Sequence, residues 1–83
     1  MTDVLVSQTA RDALEELPPN VQNRIKDKLL GEVTSDPDRY CRSMTGSPYD
    51  RIRIGNYRVV VDWNRAKDEL RIVDIGHRSS IYD

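Results

Sequence analysis

Arg51 and Arg53 are two residues apart in Asp50-Arg51-Ile52-Arg53-Ile54, so both leave the same face of an extended chain. Arg58 follows in Tyr57-Arg58-Val59, and Arg78 in Gly76-His77-Arg78, with Tyr82 close behind. Guanidinium groups suit phosphate, because each presents a planar fork of donors and stays charged at any relevant pH. An RNA backbone is therefore the first substrate to consider. Cutting RNA without a metal requires a base for the ribose 2′-hydroxyl, an acid for the departing 5′-oxygen, and positive charge around the crowded phosphorane. Fixed arginines supply the last of these. Tyr82 is one candidate for proton transfer; a free tyrosine has a pKa near ~10 and needs neighbouring cations to favour phenolate. His77 titrates nearest neutrality and is the other candidate.

Each residue also has a plainer role. Arg51 and Arg53 can be solvated residues on the wet face of a strand. Arg58, in an otherwise apolar stretch, is either a site residue or the partner of Asp62 or Asp74. His77 can simply end a strand, and Tyr82 can pack its ring on the sheet. Cys41 reads as an inert loop thiol. One histidine and one cysteine cannot furnish a conventional zinc set, so no metal and no cofactor is expected. There is no phosphate-binding glycine loop and no serine or cysteine triad.

These residues need elements to hold them. Val4–Val6 form a short apolar run ending at Ser7, a good helix N-cap. Ala10, Ala13, Leu14 and Leu17 then follow helical spacing, and Pro18-Pro19 closes that helix. A second helix starts at Pro19 or Asn20, carries the stripe Val21, Ile25, Leu29 and Val33, and stops at Asp36-Pro37. From Asp38 to Tyr49 no period is visible, and the stretch reads as loop. The period then becomes two: residues 50–54 form a strand, Gly55-Asn56 a two-residue hairpin turn, and residues 57–63 a second strand. Tyr57, Val59, Val61 and Trp63 share one face of it, and Arg58, Val60 and Asp62 the other. Residues 69–75 form a third strand. The expected fold class is α+β, an N-terminal strand and a helical hairpin packed on one face of a mostly antiparallel three- to four-stranded sheet.

The 83 residues make one domain, 1–83, with 37% hydrophobic content and a small core. Net charge is -1, which argues against a protein held on nucleic acid by bulk charge. The distribution is uneven: residues 1–50 hold six Lys/Arg against nine Asp/Glu, and residues 51–83 hold seven against five. An anion site belongs in the C-terminal half. A lone cysteine fits a reducing compartment. No apolar run reaches membrane-spanning length and Met1-Thr2-Asp3-Val4 lacks the regions of a signal peptide, so the expected location is cytoplasmic, without a membrane partner.

Nearly end to end, the chain resembles the RelE/ParE toxin superfamily of toxin–antitoxin systems. The resemblance is carried by Val6-Ser7-Gln8-Thr9-Ala10, Leu17-Pro18, Met44-Thr45-Gly46, Tyr49 through Val61, Ile75-Gly76-His77-Arg78 and Ile81-Tyr82. It implies a RelE-like fold and, in the RelE branch, a toxin that cuts messenger RNA in the ribosomal A site without a metal. It implies a cognate antitoxin as partner in a hetero-oligomer. By the same resemblance Arg51 and Arg53 grip RNA, Arg53, Arg58 and Arg78 stabilise or protonate, Tyr82 acts as base, and His77 falls where a basic residue often appears. This chain has arginines where the best-studied RelE type has lysines, which suits charge clamps better than acids. It is also less basic, and the spacing from Gly76 to Tyr82 is short. The ParE branch, which inhibits DNA gyrase and generally lacks the full basic set, is the alternative, as is a degenerate inactive toxin.

Overall fold

A computed structural model describes residues 2–77, for His77 the backbone alone. Strand β1 (Asp3–Val6) leads into helix α1 (Gln8–Glu15) and helix α2 (Pro19–Lys28), which runs on as a π-helical turn (Leu29–Val33). A single helical turn α3 (Pro37–Tyr40) and the two-residue strand β2 (Arg42–Ser43) follow, then β3 (Asp50–Ile54), β4 (Tyr57–Asn64) and β5 (Glu69–His77). The strands form one sheet in the order β1-β5-β4-β3-β2, with β1 parallel to β5 and the other neighbours antiparallel.

The expected architecture is present, with five strands instead of three or four. The additions lie in the stretch read as loop: α3 is one turn long, and β2 is a strand only because Arg42 and Ser43 pair with Arg51 and Asp50. The helices cover one face of the sheet. Ala10, Ile25, Leu29 and Val33 meet Ile52, Ile54, Val59, Val61, Leu70, Ile72 and Ile75 in one buried cluster. Burying such side chains stabilises the fold by roughly 1.5–3 kcal/mol each before chain entropy is set against it.

The π-helical turn follows from the spacing of its apolar residues. Ile25, Leu29 and Val33 recur every fourth residue, and each such step overshoots an α-helical turn by about 40°. A wider turn holds the stripe on the sheet, and all three side chains are buried.

A second irregularity sits in β5. Val60 pairs with Asp74 but Val61 pairs with Ile72, so Val73 is an extra residue in β5. The bulge lets Ile72 and Ile75, three apart, both reach the core. Ser7 ties the bulge to α1. Its Oγ donates to the Val73 carbonyl at 2.6 Å and accepts from the Ala10 amide at 3.0 Å. The N-cap serine thus serves helix and sheet together. Beyond the bulge, Gly76 is a strand residue opposite Arg58, not part of a turn. In the β3–β4 turn Gly55 takes φ 58°, a conformation glycine adopts without steric cost.

Candidate functional site

The face of the sheet away from the helices carries the arginines. Arg53 stands opposite Arg58 in the β3–β4 pairing, and Arg42 opposite Arg51 in the β2–β3 pairing. Directly paired residues share a face, and Arg51 and Arg53 share one by alternation. Four guanidinium groups therefore occupy one side of three neighbouring strands. Arg53 is exposed, Arg51 is half-buried, and Arg58 is only 8% exposed. Val60 and Met44 are also buried outside the helix-side cluster. A guanidinium withdrawn from water acts more strongly on an anion in front of it, because less solvent screens the field.

Arg51 is anchored on β2, its Nη1 donating to the Ser43 carbonyl at 3.2 Å. Two carboxylates temper the face. Asp74 pairs with Val60 in the register and accepts from the Ile75 amide at 2.8 Å, while Asp62 lies further along β4 opposite Arg71. Among the described residues, no carboxylate closes an ion pair with Arg39, Arg42 or Arg53. Elsewhere Lys28 pairs with Glu32, Arg65 with Asp38, and Arg71 with Glu69.

The helical turn α3 brings residues that sequence reasoning missed. An open pocket of about 470 Å³ is lined by Arg39 and Tyr40 of α3 together with Arg42, Arg51, Ile52 and Arg53. The turn is pinned from its other side. Asp38 Oδ1 accepts from Trp63 Nε1 at 3.0 Å and from Arg65 Nη2 at 2.7 Å. The Trp63 bond, then Arg65, holds the Asp38 carboxyl below its ordinary range. Cys41, between α3 and β2, is half-buried, and that burial, with Asp50 and Asp38 nearby, pushes its thiol up to about 12.

Of the residues expected at the site, Arg51, Arg53 and Arg58 are brought to one face. His77 ends β5 and pairs in the backbone register with Tyr57, one step from the Arg58–Gly76 pair. The side chain of His77, and Arg78 and Tyr82 entirely, lie outside the described residues.

This is the fold of the RelE toxins. A chain of the RelBE2 toxin–antitoxin complex from Mycobacterium tuberculosis superposes with a TM-score of 0.83 at 23% identity, over 93% of this chain and 98% of that one. A chain of the intact Escherichia coli RelBE complex gives 0.76 at 21% identity, over 93% and 96% of the two chains. A chain of the RelB–RelE complex from Methanococcus jannaschii gives 0.71 at 28% identity, over 95% of each. No curated protein matches the sequence. Residues 4–82 match the family described as the ParE toxin of type II toxin–antitoxin systems, parDE, and the chain belongs to that family, within the RelE/ParE superfamily. No helix among the described residues is long and apolar enough to cross a membrane.

Proposed function

We infer that this toxin is a metal-independent endoribonuclease that cuts messenger RNA in the ribosomal A site and so halts translation. The observation that supports this reading is the opposition of Arg53 and Arg58 on the open face, with Arg51 beside them. In the proposed reaction the ribose 2′-oxygen attacks the adjacent phosphorus, and the bond from phosphorus to the 5′-oxygen breaks. Tyr82 takes the 2′-hydroxyl proton, and His77 or Arg78 gives a proton to the leaving oxygen. Arginine keeps its proton at any working pH, which makes His77 the better acid of the two. Arg53 and Arg58 neutralise the phosphorane, and removing one such donor costs roughly 10²–10³ in rate. Arg51 binds the strand beside the reacting group.

The products would be a 2′,3′-cyclic phosphate and a 5′-hydroxyl. A cognate antitoxin is the expected protein partner, as the similar structures are toxin–antitoxin complexes. The family match to ParE toxins favours a second reading, inhibition of DNA gyrase through protein contacts. Incubating the toxin with programmed ribosomes and mapping the RNA ends separates the two. Fragments whose 5′ ends ligate only after kinase treatment support the nuclease. Intact RNA together with blocked DNA supercoiling sinks it.

A further inference from the structure

The arginines of the open face fall into two couples. Arg42 is opposite Arg51 and Arg53 is opposite Arg58, so each couple spans a strand pair. Within a couple the backbones are about 4.5–5.5 Å apart, and along β3 the couples are separated by roughly 6.6 Å. That spacing gives the four guanidinium groups room to serve two phosphates.

The outer couple faces a pocket. The chain leaves α3 at Cys41 and enters β2, so Arg39 and Tyr40 line a space of about 470 Å³ together with Arg42, Arg51, Ile52 and Arg53. Among the described residues no carboxylate pairs with Arg39 or Arg42, whereas Asp38, next to Arg39 in sequence, is already committed to Trp63 and Arg65. A phosphate in this space would meet Arg39 and Arg42 without competition from a carboxylate among the described residues. The Ser43 carbonyl holds the Arg51 guanidinium on the β2 side of β3, next to Arg42.

We propose that Arg39, Arg42 and Arg51 bind a second RNA phosphodiester, adjacent to the one engaged by Arg53 and Arg58. This rests on the reading of the face as an RNA-cleaving site. The outer site binds and aligns the strand, and the inner couple serves the reacting phosphate.

The test compares wild type, the double variant Arg39→Ala/Arg42→Ala, Arg42→Lys and the control Lys67→Ala, all checked for folding by circular dichroism. Binding of a single-stranded oligoribonucleotide carrying 2′-O-methyl groups, which cannot be cut, is measured against salt. Cleavage kinetics are measured on programmed ribosomes. The double variant should raise KM roughly tenfold, and its salt slope should fall by about 0.7 for each arginine removed. Its kcat should stay within about twofold, as expected when only uniform binding is lost. Arg42→Lys should recover part of the loss, and Lys67→Ala should match wild type. A defect with free oligonucleotide and ribosome alike assigns the phosphate to the messenger strand, and one seen only on the ribosome assigns it to ribosomal RNA. Unchanged KM and salt slope, with wild type still cleaving, overturn the second site alone. A fall in kcat at constant KM also overturns it, as does a defect confined to antitoxin binding. A wild type that neither binds nor cleaves RNA overturns the underlying reading as well.

Discussion

Arg53 and Arg58 occupy one register position of the β3–β4 hairpin, two like charges facing each other on the side of the sheet that the helices leave open. Like charges directly opposite repel across a strand pair. A substitution that keeps strand propensity and removes one charge should relieve it. Arg53→Thr is therefore expected to unfold at the same or higher denaturant concentration than wild type. A lowered midpoint would mean that Arg53 supports the fold and is not held there at its expense.

Ser7 joins the start of α1 to the bulge in β5 through one hydroxyl. Ser7→Ala loses the cap and leaves the Val73 carbonyl without this donor. The expected cost is about 1–2 kcal/mol, a fall in melting temperature of roughly 4–16 °C for a domain of this size. Ser7→Thr keeps the hydroxyl and should retain most of the stability. Equal melting curves for Ser7→Ala and wild type would refute the dual role.

The Asp38 carboxyl is held below its ordinary range by Trp63 and then Arg65. Its folded-state pKa is lower than its unfolded one, so its contribution is present above the unfolded value and is lost as pH falls through the folded value. Its exposure keeps that contribution small. Asp38→Asn should lower the melting temperature slightly near neutral pH, and the difference from wild type should shrink in strong acid. A difference that grows as the pH falls would contradict the assignment.

These outcomes bear on how much the sequence disclosed. The period-two run through Arg51, Arg53 and Arg58 was readable because a strand with one buried face alternates, and the Ser7 cap and the Gly55-Asn56 turn were readable from local chemistry. The turn α3 and strand β2 were not. Four helical residues are too few to show a period, and Arg42-Ser43 becomes a strand only through its partners in β3. Arg39 and Arg42 were missed as site residues for that reason. The extra residue Val73 was hidden by its apolar side chain, since Leu70, Ile72 and Ile75 fit a strand until their burial is compared. The π-helical turn did leave a trace, in the unbroken four-residue spacing of Ile25, Leu29 and Val33.

Burial, with Asp50 and Asp38 nearby, pushes the Cys41 thiol up to about 12, which leaves almost no thiolate at neutral pH. Cys41 should react with iodoacetamide at least ~100-fold more slowly in the native protein than in denaturant at pH 8. Comparable rates would show that the thiol is open and ionisable. The expected slow reaction agrees with Cys41 as a packed residue beside the core.

The central claim is that the arginine face cleaves messenger RNA. Primer extension across a message held on programmed ribosomes tests it most directly, comparing wild type with an Arg53→Ala variant shown to be folded. The account predicts cuts within the A-site codon for wild type, reduced roughly 10²–10³-fold in the variant. Cleavage that persists at the wild-type rate in Arg53→Ala, or a wild type that leaves the message intact, would contradict it.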